Sequence, residues 1–170
     1  MTSQAISHEI STDLDKRRRQ ITAGFARFYS PLAVLTFVLT FFPYYKSDPG
    51  ESTQYGSLWQ EATRTGHSYD IMAVIIFLAI VALLTLAAVE VLGVVGLVAT
   101  AVLTLSIGTL LWTAPGFSDP PEHSHAGILD ITICLIGTAI LLSNAACLLV
   151  LARVQKRRTA SATAADSSTR

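Results

Sequence analysis

Residues 71–112 read IMAVIIFLAIVALLTLAAVEVLGVVGLVATAVLTLSIGTLLW, and a single charged side chain, Glu90, interrupts them. As one helix this stretch would measure about 63 Å, roughly twice the ~30 Å of bilayer hydrocarbon. It must therefore double back. Glu90 and the first glycine that follows it, Gly93, mark the turn, so the stretch resolves into one span over 71–88 and another over 93–112.

Two further apolar runs flank this hairpin. No charge occurs between Phe28 and Tyr45, or between Ile131 and Ala152. These runs predict spans at 28–45 and 128–152. Charged residues make up 14% of the chain, against about 25% for soluble domains. The fold class expected is therefore all-α: an integral membrane four-helix bundle.

The bases are unevenly placed. Lys16, Arg17, Arg18, Arg19, Arg27, Arg153, Lys156, Arg157 and Arg158 border the first and last spans. Only Lys46 and Arg64 fall in the segments between spans one and two or three and four. Lys and Arg concentrate on the cytoplasmic side of membrane proteins, so both termini are expected there. The acids Asp48, Glu51, Glu61, Asp70, Asp119, Glu122 and Asp130 then fall outside. The first apolar run lacks a small-residue cleavage site and reads as a retained span.

Ahead of the first span, Thr12 offers an N-cap, and Ile10, Leu14, Ile21, Phe25 and Phe28 recur at roughly helical spacing. This predicts a short amphipathic juxtamembrane helix. Its Lys16, Arg17, Arg18 and Arg19 fix the topology and face lipid headgroups. Residues 1–11 and 159–170 read as disordered tails, leaving 12–158 as the membrane domain. Pro31 falls in the first turns of the expected span, where a missing N–H is tolerated.

Small residues mark helix-packing faces in lipid. Gly96, Thr100, Thr104 and Gly108 form a ladder on the third span, and Gly137 and Asn144 share a face of the fourth. Both are expected inside the bundle. Asn144, the only asparagine, needs a hydrogen-bond partner at such depth. Cys134 and Cys147 lie about 20 Å apart along one helix and read as packing residues.

Few groups offer chemistry. Glu90 is the proton or substrate candidate if it lies within the membrane, and a solvated turn residue if it lies at the hairpin. His67, His123 and His125, with Glu122, combine imidazole and carboxylate in the external loops and form a candidate metal site. In the first of these loops, Ser57 and Gln60 form a capping box opening a short helix with Trp59, read as an interfacial anchor. Phosphate loops, nucleophile elbows, HExxH and CxxC are absent, so no enzyme is expected and no cofactor is implied. The membrane explains the basic clusters, which leaves no case for nucleic acid.

The function expected is a non-enzymatic accessory subunit, scaffold or assembly factor. Its partners would be the bilayer and other membrane subunits or a second copy. A small proton-coupled transporter using Glu90 and Asn144, and an external metal-binding protein, are the alternatives. The compact loops and the lack of an Asn-x-Ser/Thr acceptor point to a bacterial inner membrane.

Overall fold

The computed structural model describes residues 2–47, 55–64, 68–114 and 121–167. Its elements are five helices: α1 (Thr2–Leu39), α2 (Leu58–Arg64), α3 (Ser68–Ala88), α4 (Val94–Thr113) and α5 (His125–Ser167). Four of these contain segments long and apolar enough to cross a membrane: Lys16–Leu39, Ile71–Ala88, Val94–Thr113 and His125–Arg157. Large apolar side chains stand exposed around the bundle, among them Phe28, Val34, Ile75, Val102, Leu135 and Val150. That surface suits lipid rather than water, and the four long apolar helices suggest a multi-pass membrane protein.

The hairpin forms where the charge and glycine placed it. The Val91 N–H reaches the Leu86 carbonyl and the Glu90 N–H reaches that of Ala87, both at 3.1 Å. These two bonds close a Schellman turn with Glu90 in the left-handed conformation, φ 60°. Gly93 then caps α4 with extended backbone.

The first span differs from expectation in two ways. The juxtamembrane helix is not separate: one helix runs from Thr2, through the basic cluster, to Leu39. The expected cap at Thr12 and the tail over 1–11 give way to helical backbone from Thr2 onward. Secondly, the helix stops before the aromatic run Phe41, Phe42, Tyr44 and Tyr45. Thr40, Phe41 and Phe42 turn through bonds to carbonyls three residues back. Pro43 ends the helix, because its ring disfavours helical backbone at Phe42. The apolar segment consequently lies nearer the N-terminus than 28–45, and Pro31 falls in the helix interior. There it removes the N–H that would bond the Arg27 carbonyl.

At the other end, α5 continues past 152 and through 159–167. Ala160, Ala162, Ala164 and Ala165 favour the helix, so the segment expected as a tail is helical up to Ser167.

The helices pack in the order α3, α1, α5, α4, with α4 against α5 the most extensive contact; α3 and α4 touch least, although the hairpin joins them. The core is built from Leu32 and Ala33 of α1, Phe77, Ile80 and Leu84 of α3, Leu97 and Ala101 of α4, and Leu141 and Ala145 of α5. At the end opposite the hairpin, the two loops meet in a small cap. Tyr45 pairs antiparallel with His123, and Pro43 with Ser57. The Lys46 N–H bonds the Glu122 carbonyl at 2.8 Å, and the Ser124 N–H bonds that of Tyr44 at 2.9 Å.

Candidate functional site

Two groups of buried polar side chains interrupt the apolar core, one on each side of its middle. Gly137 marks the middle, because a Cβ placed there would meet Leu32 and Thr104 at about 4 Å. Thr104 is itself near the centre of α4.

The first group lies toward the cap. Asp130 is fully buried on α5, about 10 Å along the helix from Gly137. Neither carboxylate oxygen has a hydrogen-bond partner. Tyr44, 7% exposed, faces the same region with its hydroxyl also unpartnered. Burial first, then the Asp130 carboxylate and the Cys134 thiol, push the Tyr44 phenol up from its ordinary value. The phenol is therefore neutral across the physiological range and keeps its proton to donate.

Three contacts fix Tyr44. Its ring stacks on Phe77 of α3 at 5.8 Å between centroids. Its carbonyl accepts the Ser124 N–H. Its backbone lies so close to Gly127 that any Cβ there would collide with the Tyr44 carbonyl oxygen. Only glycine allows α5 to begin where it does.

The second group lies toward the hairpin. The Asn144 amide donates to the Tyr29 hydroxyl at 2.9 Å, joining α5 to α1, with both residues fully buried. The Asn144 carbonyl oxygen has no partner.

The other predicted packing residues lie in contact with their neighbours as follows. Thr100 and Thr104 are buried, each bonding the carbonyl one turn back on its own helix at 2.8 Å. Gly108 is buried against Cys134, 3.0 Å from where its Cβ would stand. Gly137 is buried, and Gly96, at the hairpin end of α4, is partly so. Thr138, beside Gly137, bonds the Cys134 carbonyl and reaches that of Ala101 across the helix interface.

Glu90 is exposed at the hairpin, far along the bundle from Asp130. It does not meet Asn144, whose amide is held by Tyr29. Lys16, Arg17, Arg18 and Arg19 are exposed near the hairpin end of α1.

Two of the four candidate metal residues, His123 and Glu122, are engaged elsewhere. His123 Nε2 lies 3.0 Å from the Leu111 carbonyl oxygen, and its ring stacks on Trp112. Glu122 pairs with Lys46 at 2.8 Å; that bond, then the Lys46 charge, hold its carboxyl below the ordinary value. His125 is exposed at the start of α5, and His67 lies outside the described residues. Among the described residues, no three His, Cys, Asp or Glu side chains converge to hold a metal ion.

Trp59 also has a more specific place than an interfacial anchor. The capping box forms, with the Ser57 N–H on Gln60 Oε1 at 2.9 Å and the Gln60 N–H on Ser57 Oγ at 3.3 Å. The helix it opens carries Trp59 to the end of α1. There its indole N–H bonds the Thr40 hydroxyl at 2.9 Å and its ring stacks on Phe41.

Asp130 is the residue that sequence reasoning misplaced, counting it with the external acids. The available signal was its register. Asp130, Cys134, Gly137, Leu141, Asn144 and Leu148 recur at three and four positions along one helical face, and that face is the buried one. No family model, no curated protein and no solved structure matches this chain.

Proposed function

We propose that the chain is a non-enzymatic multi-pass protein of the cell membrane, acting as an accessory subunit, scaffold or assembly factor. Both termini and the hairpin face the cytoplasm, and the cap faces outward. The positive-inside rule supports this orientation, since Lys16, Arg17, Arg18 and Arg19 on α1 and Arg153, Lys156 and Arg157 on α5 lie at the same end of an antiparallel pair.

The observation that carries the functional reading is the outward face of α5. Thr132, Ala139, Ser143 and Ala146 stand exposed there on neighbouring turns. In lipid, helices associate through close packing, and small residues permit it. The two hydroxyls are already satisfied within the helix: Thr132 bonds the Ile128 carbonyl at 2.8 Å and Ser143 that of Ala139 at 2.7 Å. A neighbouring helix could thus approach without having to supply a partner for either. Ser106 and Thr109 repeat the arrangement on the exposed side of α4.

The test is cross-linking in native membranes, followed by purification in mild detergent. The wild-type chain should carry a partner subunit or a second copy. Ala139→Leu with Ser143→Leu should remove it while helical content stays unchanged. A chain that remains solitary under cross-linking would end this reading.

A further inference from the structure

We propose that Asp130 and the Tyr44 hydroxyl form a site for a single positive charge, a proton or a small monovalent cation, buried between the end of α1, α3 and α5. The site is built from distant parts of the chain. Asp130 belongs to α5, Tyr44 follows α1, and Phe77 of α3 backs the tyrosine ring. Both polar groups are more than nine-tenths buried, and neither has a hydrogen-bond partner. A bare carboxylate in an apolar interior is among the least stable arrangements a protein can hold. Such a group is tolerated when its charge is neutralised, and intramembrane acids characteristically mark ion or proton sites.

The chemistry of the donors limits the occupant. Two carboxylate oxygens and a phenol oxygen are hard ligands carrying one negative charge, which suits a monovalent ion or a proton. Among the described side chains, the titratable groups facing Asp130 are Tyr44 and, one turn along α5, Cys134. The other groups drawn to this region, Phe77 from α3 and Gly108 of α4 against Cys134, are uncharged. Of the described acids and histidines of the cap, Glu122 is held by Lys46, Glu61 by the Gly56 N–H and His123 by the Leu111 carbonyl, and His125 is exposed. Burial is the cause that acts on Asp130, and no described lysine or arginine is paired with it, so the proposed site takes its positive charge from solution. This site stands apart from the partner-binding face proposed above, and neither reading depends on the other.

The full chain in phosphatidylcholine nanodiscs provides the test, read by its thermal unfolding midpoint. Sodium, potassium and choline chloride are compared at one ionic strength, and pH is varied separately in choline chloride. A monovalent ion raises the midpoint in sodium or potassium but not in choline. A proton raises it as pH falls, independently of salt. Either shift should amount to roughly 3–5 °C per tenfold rise in occupant near saturation. Asp130→Asn should abolish it, and Tyr44→Phe should weaken it.

Infrared difference spectra separate the two sources without relying on stability. A protonated carboxyl band present in the wild type and missing from Asp130→Asn identifies the proton. An ionised carboxylate band that shifts with sodium or potassium identifies the metal ion. A midpoint that ignores both variables, or a dependence that survives in Asp130→Asn, would overturn the proposal.

Discussion

At the scale of single residues, the useful contrast is between two polar groups in apolar surroundings that have opposite fates. Glu90 stands in the longest apolar run of the sequence yet is exposed at a turn, in the left-handed conformation. That conformation costs a non-glycine residue about 1 kcal/mol. Glu90→Gly should therefore leave the chain as stable or up to about 1 kcal/mol more stable, less the greater freedom glycine has when unfolded. Reversible unfolding in detergent measures this. Asn144 is the opposite case, with its amide held by Tyr29 in the core. Replacing either partner alone, by Asn144→Leu or Tyr29→Phe, should destabilise by about 1–3 kcal/mol. The double variant should lose less than the two singles added together, with a coupling of about 0.6–1.7 kcal/mol typical of intramembrane bonds. Sequence alone showed that Asn144 required a partner. It could not name Tyr29, because hydrogen bonding across helices depends on their rotation and depth. The same gap explains Asp130: proximity to a loop suggested solvent, while its register on α5 decided burial.

Among the elements, close approach of backbone explains more than apolar pattern does. α5 begins against the Tyr44 carbonyl at Gly127, and α4 lies on Cys134 at Gly108. Gly127→Val would thrust a side chain into rigid backbone and should cost about 3 kcal/mol. Gly108→Ala, meeting the Cys134 Cβ at 3.0 Å rather than backbone, should cost less, about 1 kcal/mol. The same unfolding measurement ranks the two. The Lys46–Glu122 pair across the cap is different in kind. Its lowered carboxyl means the link is present above the ordinary carboxylate range and lost as pH falls through the lowered value. Both side chains are exposed, so Glu122→Gln should barely move the unfolding midpoint, as is usual for surface pairs. The number of long apolar helices and the position of the hairpin were legible, because length and charge decide them. The ends of α1 and α5 were not. Helical backbone persists through 2–9 and 159–167 on local propensity, beyond the apolar residues whose spacing announces a helix.

For the whole molecule, depth along the bundle ties these observations to a topology that labelling can test. With Gly137, Leu32 and Thr104 at the middle, Arg18 lies about 21 Å away along α1 and Arg153 about 24 Å along α5, while α4 begins about 15 Å from Thr104 and Glu90 lies in the turn beyond that. All three exceed the ~15 Å half-thickness of the hydrocarbon and lie at the same end. The proposed orientation puts that end in the cytoplasm, with Tyr55 and Gln60 outside. In a Cys134→Ala, Cys147→Ala background, a membrane-impermeant thiol reagent applied to intact cells should label Gln60→Cys. It should label Arg18→Cys, Glu90→Cys and Arg157→Cys only after the cells are opened. The Glu90 position is the most informative of the four. The hairpin carries no lysine or arginine, so its side follows from helix count rather than from its own charge. Labelling of Glu90→Cys in intact cells, with Arg18→Cys protected, would mean that the hairpin and the N-terminus occupy opposite sides. The antiparallel contact of α1 with α5 and the meeting of both loops in one cap could not then hold together in the membrane.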